Sequence, residues 1–570
     1  MLTNTNFIAY LDLDNKTLAF PAEKMTFYDE CYADFQLQKV GKGWRCQVML
    51  HAKQPLDIRN FRLELDYQFK IGDRIFCNGY QSWSESTERQ FGEPLSRIRW
   101  GKQRQLTYFG DDHIEQVQRG KSHLHAWTYS YVRRAKQPLF FIGSASEATG
   151  FTLIQFDQNN QKISIEKDCA GLQLSHSFPI LDVWFGSDTE QKCFAQWFDL
   201  QDVKLLTTQA ATGWTSWYHH YVNISEEVIL KNLTAFQERE IGIDIFQIDD
   251  GWQRAVGDWL DVREVFPNGM GKVAADIQQA GYRAGLWLAP FICVEQSAIF
   301  QKNQHWLLKD AAGKPISLGY IPLWKSKFYA LDFYQKEVQD YLRQVFQRVF
   351  QHWQYDLVKL DFLYAVCIAP PPHKTRGQVM HDAMEFLRQC CGDKLILGCG
   401  VPLGSAFGKV DYCRIGGDVH LQWEDQLLRF FHHRERVSTI ATLRNTLHRW
   451  QLSGKAFYND PDVFILRQAN QKLTPTQQYT LLIINVLCGD VLFTSDDVAD
   501  YSAEQWSEYQ SIFKWKNSEI QEVRTLQKDV FAIDFLHDKK GWTAYCNLTN
   551  KSVSVKPSFL LEPYESIILK

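Results

Sequence analysis

The chain has 570 residues, of which 45% are apolar and 22% charged, and a formal net charge of −4. That length exceeds one compact domain and predicts two to four. The balance is that of a soluble globular protein, and with no basic surplus neither nucleic acid nor an anionic membrane surface is expected as a partner.

The opening residues, MLTNTNFIAYLDLDN, have no charged segment followed by an apolar run, so no secretory leader is expected. Residues 1 to about 200 carry short alternating runs: RCQVMLHA (45–52), FRLELDYQFK (61–70), KISIEKD (162–168) and LQLSHSFPI (172–180). Turn residues such as Gly41-Lys42-Gly43 and Gly72-Asp73 separate them, and helical periodicity is scarce. A large antiparallel β-sandwich over 1–205 is the expectation.

Near residue 210 the pattern changes to apolar runs alternating with amphipathic helices. Eight candidate strands follow: 211–218, 244–250, 283–291, 357–362, 395–400, 412–418, 456–462 and 491–497. SEEVILKNLTAFQERE (225–240) and QKEVQDYLRQVFQRVFQHW (335–353) are two of the intervening helices, the first with Ser225 placed as its cap. Eight such units over 206–500 match a (β/α)₈ TIM barrel in size; a doubly wound open sheet is the rival, but no dinucleotide or phosphate loop stands where it would need one. The tail, 501–570, turns β again in VFAIDFLHD, GWTAYCNLTN and ESIILK and predicts a small antiparallel domain. No apolar stretch reaches membrane-spanning length.

The 13 cysteines are dispersed, with no C-x-x-C pair and no Cys/His cluster of zinc spacing. They read as reduced core thiols in a cytoplasmic protein. Aromatic content is 14%, with 19 tryptophans, flat rings that suit sugar faces as well as β-domain cores.

Barrel chemistry gathers at the C-terminal ends of the strands, and five of these eight ends carry aspartate: Asp249-Asp250, Asp361, Asp418, Asp460 with Asp462, and Asp496-Asp497. A metal site is disfavoured because no histidine accompanies these acids in ligand spacing, and a phosphate site by the charge. Glycoside hydrolysis fits best, since it needs two carboxyls beside the bond and acceptors for hydroxyls. In LVKLDF, Lys359 and Asp361 share a strand face, and an ammonium beside a carboxylate favours its ionised form. In YCRIGGD, Arg414, Gly416 and Asp418 share a face, with Gly416 and Gly417 permitting close approach to the backbone. Asp460, Asp462, Asp496 and Asp497 are read as surface-turn or helix-cap residues. His219-His220 are read as a structural or exposed pair. Trp83, in the polar-flanked NGYQSWSES (78–86), is placed either over the barrel mouth or in interdomain packing.

The stretches GWTSWYHHY (213–221), FQIDDGW (246–252), GDWL (257–260), GLWLAPF (285–291), VKLDFLYA (358–365), LGCGVPLGSAFGKVDYCRIGGDV (397–419) and NDPDVFILR (459–467) resemble the α-galactosidases of glycoside hydrolase family 36, the shorter bacterial type. NGYQSWS resembles the family's N-terminal active-site loop. The resemblance implies an N-terminal antiparallel β-supersandwich, a central barrel and a C-terminal β-domain. It implies exo-acting, retaining hydrolysis of terminal α-galactosides of the melibiose or raffinose type, with Asp361 as nucleophile and Asp418 as acid/base. It assigns Asp249 and Asp250 to galactose hydroxyls and Lys359, Arg414, Cys399, Trp83, Trp217, Trp287 and Gly417 to the rest of the sugar site. No metal or organic cofactor is implied. The family also holds α-N-acetylgalactosaminidases and galactosyl-transferring relatives, which remain alternatives, as does a non-catalytic sugar-binding protein.

Overall fold

The computed structural model describes residues 7–98, 106–207, 209–239, 241–556 and 559–570. The first six residues of the segment read for a leader lie outside these. Two seven-stranded antiparallel sheets form the N-terminal region. In one, Leu56–Asp66 lies between Phe7–Leu13 and Lys162–Lys167; in the other, Ser177–Asp188 lies between Gly43–Ala52 and Leu139–Ser144. Alternating residues such as Phe7, Ala9, Leu11, Ile163 and Ile165 fill a core between the sheets. The run LQLSHSFPI is two strands rather than one. Leu172–Leu174 pairs with Leu56–Asp66, whereas the chain from Ser177 onward belongs to the other sheet.

All pairings in the central sheet are parallel, and its strands are buried on both faces, as helix-covered parallel strands must be. The order runs Ala211–Thr215, Ile245–Ile248, Arg283–Leu288, Leu357–Leu360, Leu395–Gly398, Tyr412–Arg414, Tyr458–Asp460, and then Val491–Thr494 back against the first strand. The seventh strand is broken. Tyr458–Asp460 pairs with the sixth strand and Val463–Phe464 with the eighth, so the ring closes across Pro461 and Asp462, the latter at φ 78°. Closure excludes the open-sheet alternative. Ser225 caps the first barrel helix, Glu226–Glu238, by accepting from Val228 N at 3.3 Å, as its position predicts. An element without a sequence forecast follows the third strand: a small antiparallel sheet of Ile292–Val294, Ser326–Ala330 and Ser317–Ile321.

Beyond the barrel, helix Ala503–Phe513 leads to a four-stranded antiparallel sheet built on Val530–His537 and Lys540–Asn547. All thirteen cysteines are unpaired and twelve are buried. No described helix is long and apolar enough to cross a membrane.

The N-terminal region reaches the barrel through residues 78–86. Ser82 N donates to Val401 O at 2.9 Å, Glu85 N to Arg434 O at 3.0 Å and Ser86 N to Asn445 Oδ1 at 2.7 Å. Arg449, fully buried, fastens this segment from below. It donates to Asn78 Oδ1 at 3.0 Å, Ser82 O at 2.7 Å and Ile415 O at 2.8 Å. Burial among neutral acceptors lowers its pKa to about 10. Arg449→Met should therefore strand several carbonyls and cost about 3 kcal/mol. A lower urea midpoint is the expected reading. Arg449→Lys should recover only part of it, because one ammonium cannot span three directions.

Candidate active site

The second and fourth strands end in acids whose orientation is fixed by the elements around them. Asp249 is buried and accepts from Gln247 Nε2 at 2.7 Å and Lys359 Nζ at 2.8 Å. Asp250 accepts from Gln253 Nε2 at 2.6 Å and Trp324 Nε1 at 2.7 Å. Gly251 follows at φ 117°, turning the chain so that both adjacent acids remain at the strand end. Asp361 stays registered with the sheet through its N–H to Leu288 O at 2.8 Å. Its two oxygens accept from Trp287 Nε1 at 3.1 Å and from Phe362 N at 2.9 Å, with Phe362 in the left-handed region at φ 53°. Such backbone strain clusters at functional sites.

Arg414, at the end of the sixth strand, meets three carboxylates: Asp418 Oδ1 at 2.8 Å, Asp460 Oδ2 at 3.0 Å and Asp462 Oδ1 at 2.7 Å. Asp418 has a side chain 33% exposed, against 3% for Arg414, and so is the member of this cluster open to a ligand. Asp460 and Asp462 are not surface-turn residues. Both are buried, and Asp462 also accepts from Tyr218 Oη and from Val419 N at 2.7 Å. Nor is Asp496 at the surface: fully buried, it binds Arg467 NH1 at 2.6 Å, two backbone N–H groups and Tyr501 Oη. Asp497 does stand before a short 3₁₀ turn, Val498–Asp500, but its side chain pairs with His220 and Lys231 instead of capping it. His219, His220 and Asp497 have ligand atoms within 4.8 Å of one another. The two rings stack at 4.6 Å with 20° between their planes, and Lys231 already pairs with the acid.

The electrostatics follow from crowding. Burial, and then the charge of Asp418, raises the Asp361 carboxyl, while Lys359 opposes the rise. Burial pushes Asp250 up to about 6, with Asp249 and Asp361 adding to it and the Trp324 and Gln253 bonds resisting. Asp462 is also pushed up, by burial first and by its acidic neighbours against Arg414. Burial alone would lower Lys359, but Asp249 overrides it and holds the ammonium charged. Lys359 acts on Asp361 through space, but its hydrogen bond goes to Asp249.

Trp83 and Cys399 meet at this rim, the indole N–H lying 3.2 Å from Sγ. Gly400, at φ 62°, leaves room for the Trp83 ring, which a Cβ would meet at 2.8 Å. Trp83 is only 9% exposed and packs edge-on against Phe362 and Tyr364, so it both reaches the mouth and packs between regions. Trp217 is half-buried beside Tyr221, and Gly417 lies under Arg436, whose carbonyl a Cβ would meet at 3.2 Å. Sequence reasoning missed Trp324, on the hairpin after the third strand. Its setting in IPLWKSK, a tryptophan beside polar residues, is the signal that marked Trp83.

The rim thus offers one buried, oriented carboxylate, one partly exposed carboxylate on an arginine, and further acceptors framed by tryptophan. That suits a neutral polyhydroxylated ligand and acid/base chemistry on it. Residues 204–387 match the melibiase family. The chain is 29% identical over 153 residues to α-galactosidase AgaA of Geobacillus stearothermophilus, 26% of this chain and 20% of that one. It is 25% identical over 201 residues to α-galactosidase Mel36A of Lactobacillus acidophilus, 32% of this chain and 26% of that one. The matched stretches thus span 20% and 26% of those relatives' lengths. In three dimensions it resembles TtGalA, an α-galactosidase from Thermus thermophilus solved with p-nitrophenyl α-D-galactopyranoside, with TM-score 0.73, 24% identity, and coverage of 91% of this chain and 98% of that one. The family 36 α-galactosidase AgaA of Geobacillus stearothermophilus superposes with TM-score 0.64 and 12% identity over 99% of this chain and 87% of that one. The chain thus carries a melibiase match over residues 204–387 and shares, across nearly its whole length, the three-part fold of these solved α-galactosidases.

Proposed function

We propose that the protein is an exo-acting, retaining α-galactosidase that removes terminal α-D-galactosyl residues from small oligosaccharides. The observation that carries the reading is the pairing of a buried, doubly anchored Asp361 with a partly exposed Asp418 whose charge it feels. Structures of TtGalA with p-nitrophenyl α-D-galactopyranoside and with stachyose support the substrate class. Thirteen unpaired cysteines support a cytoplasmic location.

In this reading Asp361 attacks the anomeric carbon, its lone pair aimed by the Trp287 and Phe362 N–H groups. Asp418 donates its proton to the departing oxygen. Arg414 bonds Asp418 Oδ1, which leaves Oδ2 to carry that proton. A β-linked galactosyl ester forms on Asp361. Asp418 then takes a proton from water, which attacks the same carbon and restores the α configuration. Asp249 and Asp250 accept from hydroxyls of the sugar, and Lys359, Cys399, Trp83, Trp217, Trp287 and Gly417 complete the site around it.

Among aryl α-glycosides, the galactoside should turn over faster than the glucoside or the N-acetylgalactosaminide. Faster cleavage of either of the others would overturn the specificity while sparing the mechanism.

Asp361→Gly should reduce kcat by about 10³-fold or more, since no covalent intermediate forms. Azide should then give the β-galactosyl azide from an activated substrate. Asp418→Gly should retain much of its first step on good leaving groups and, with azide, yield the α-galactosyl azide. The same anomer from both variants would refute the role assignment.

Asp250 must be ionised to accept from its two neighbours and a hydroxyl at once, so kcat/KM should fall as pH drops through about 6. Trp324→Phe deletes a bond that stabilises the carboxylate. The acidic limb should move to higher pH, and an unmoved limb would assign it to another group.

A further inference from the structure

Where the sandwich, the barrel and the C-terminal sheet meet, a cavity of about 520 Å³ opens, lined by none of the rim carboxylates. Cavities of that size hold sugar-sized molecules. Seven arginine and lysine side chains line it against four aspartates and glutamates. Five of the seven are matched. Arg444 holds Asp529 through two bonds at 2.7 and 2.8 Å and shares Glu85 with Arg436. Arg74, Arg434 and Lys528 pair with Glu88, Asp111 and Glu93. Arg89 and Arg429 have no carboxylate partner among the described residues, and the Nε of Arg89 is buried with no hydrogen-bond acceptor there. A buried guanidinium donor is costly to leave unmet, and its planar fork matches phosphate oxygens.

We propose that this cavity binds a small phosphate-bearing molecule through Arg89 and Arg429. A half-buried Arg89 and an exposed Arg429, neither in an ion pair among the described residues, offer two guanidinium charges to a phosphate dianion, whereas a single carboxylate would leave one over. The volume beyond a phosphoryl group accommodates an attached hexose-sized body. The cavity also backs onto two segments that frame the rim. Glu85 stands two residues from Trp83, and Ser438, two residues after Arg436, donates its N–H to Asp418 O at 2.9 Å.

The test is calorimetric titration of the full chain with inorganic phosphate, glucose 6-phosphate and glucose, at ionic strength matched with KCl. Saturable binding of the two phosphates and none of glucose is expected, with the hexose phosphate tighter. Equal affinities would support the same site with the free ion as its occupant. Arg89→Met should weaken phosphate binding at least tenfold and Arg429→Met less. In phosphate-free buffer Arg89→Met should melt at or above the wild-type temperature, since it removes a buried Nε donor that has no acceptor. Absence of saturable phosphate binding, unchanged affinity in Arg89→Met, or a melting point several degrees lower for that variant without phosphate would overturn the proposal.

Discussion

Two cations serve six carboxylates at the mouth of this barrel, and their allocation governs the site. Arg414 goes to Asp418, Asp460 and Asp462, and Lys359 goes to Asp249. Asp361 and Asp250 receive no cation of their own and are held by neutral indole, amide and backbone N–H donors. Carboxyls crowded in a low dielectric cannot all ionise freely, and Asp361 and Asp250, with Asp462 of the arginine cluster, shift upward. A group without a bound counter-ion keeps its lone pairs available to a reacting carbon or a hydroxyl, and this is the state the proposed roles require.

The same economy explains why the N-terminal region is part of the site. Residues 78–86 bring an indole to Cys399 and are held in place by Arg449 and by the pairing of Glu85 with Arg436 and Arg444. The packing is mutual. Gly400 lacks a Cβ where Trp83 passes, so the loop after the fifth strand is shaped for a ring supplied by another region.

Much of this was legible because periodicity and strand ends are local properties. The alternation of apolar runs with capped amphipathic helices fixes eight parallel strands, and acids just beyond such runs fall on one rim, as Asp249, Asp361 and Asp418 do. What escaped depends on partners distant in the chain. Asp460 and Asp462 look like turn residues until Arg414, 46 residues away, is seen between them. Asp496 is buried because Arg467 and two backbone N–H groups receive it. The ammonium of Lys359 crosses to the second strand, 110 residues back, instead of staying with the acid two positions along its own. Alternation tells which face a side chain takes but not which neighbour across the barrel claims it.

The pairing of the first strand with the eighth has a consequence for synthesis. Trp214 donates to the carbonyl of Asp496, 282 residues later, and Ala211–Thr215 pairs with Val491–Thr494. On the ribosome, at about 5–20 residues per second, the first strand waits on the order of 15–60 s for its partner. Throughout that interval the growing sheet has two open edges, and until the seventh strand emerges the acids at its rim lack the carboxylates that share Arg414. The sandwich emerges complete beforehand, with residues 78–86 already in it. The nascent barrel therefore assembles against a finished template, and its chemistry switches on late, when the last strand seals the ring.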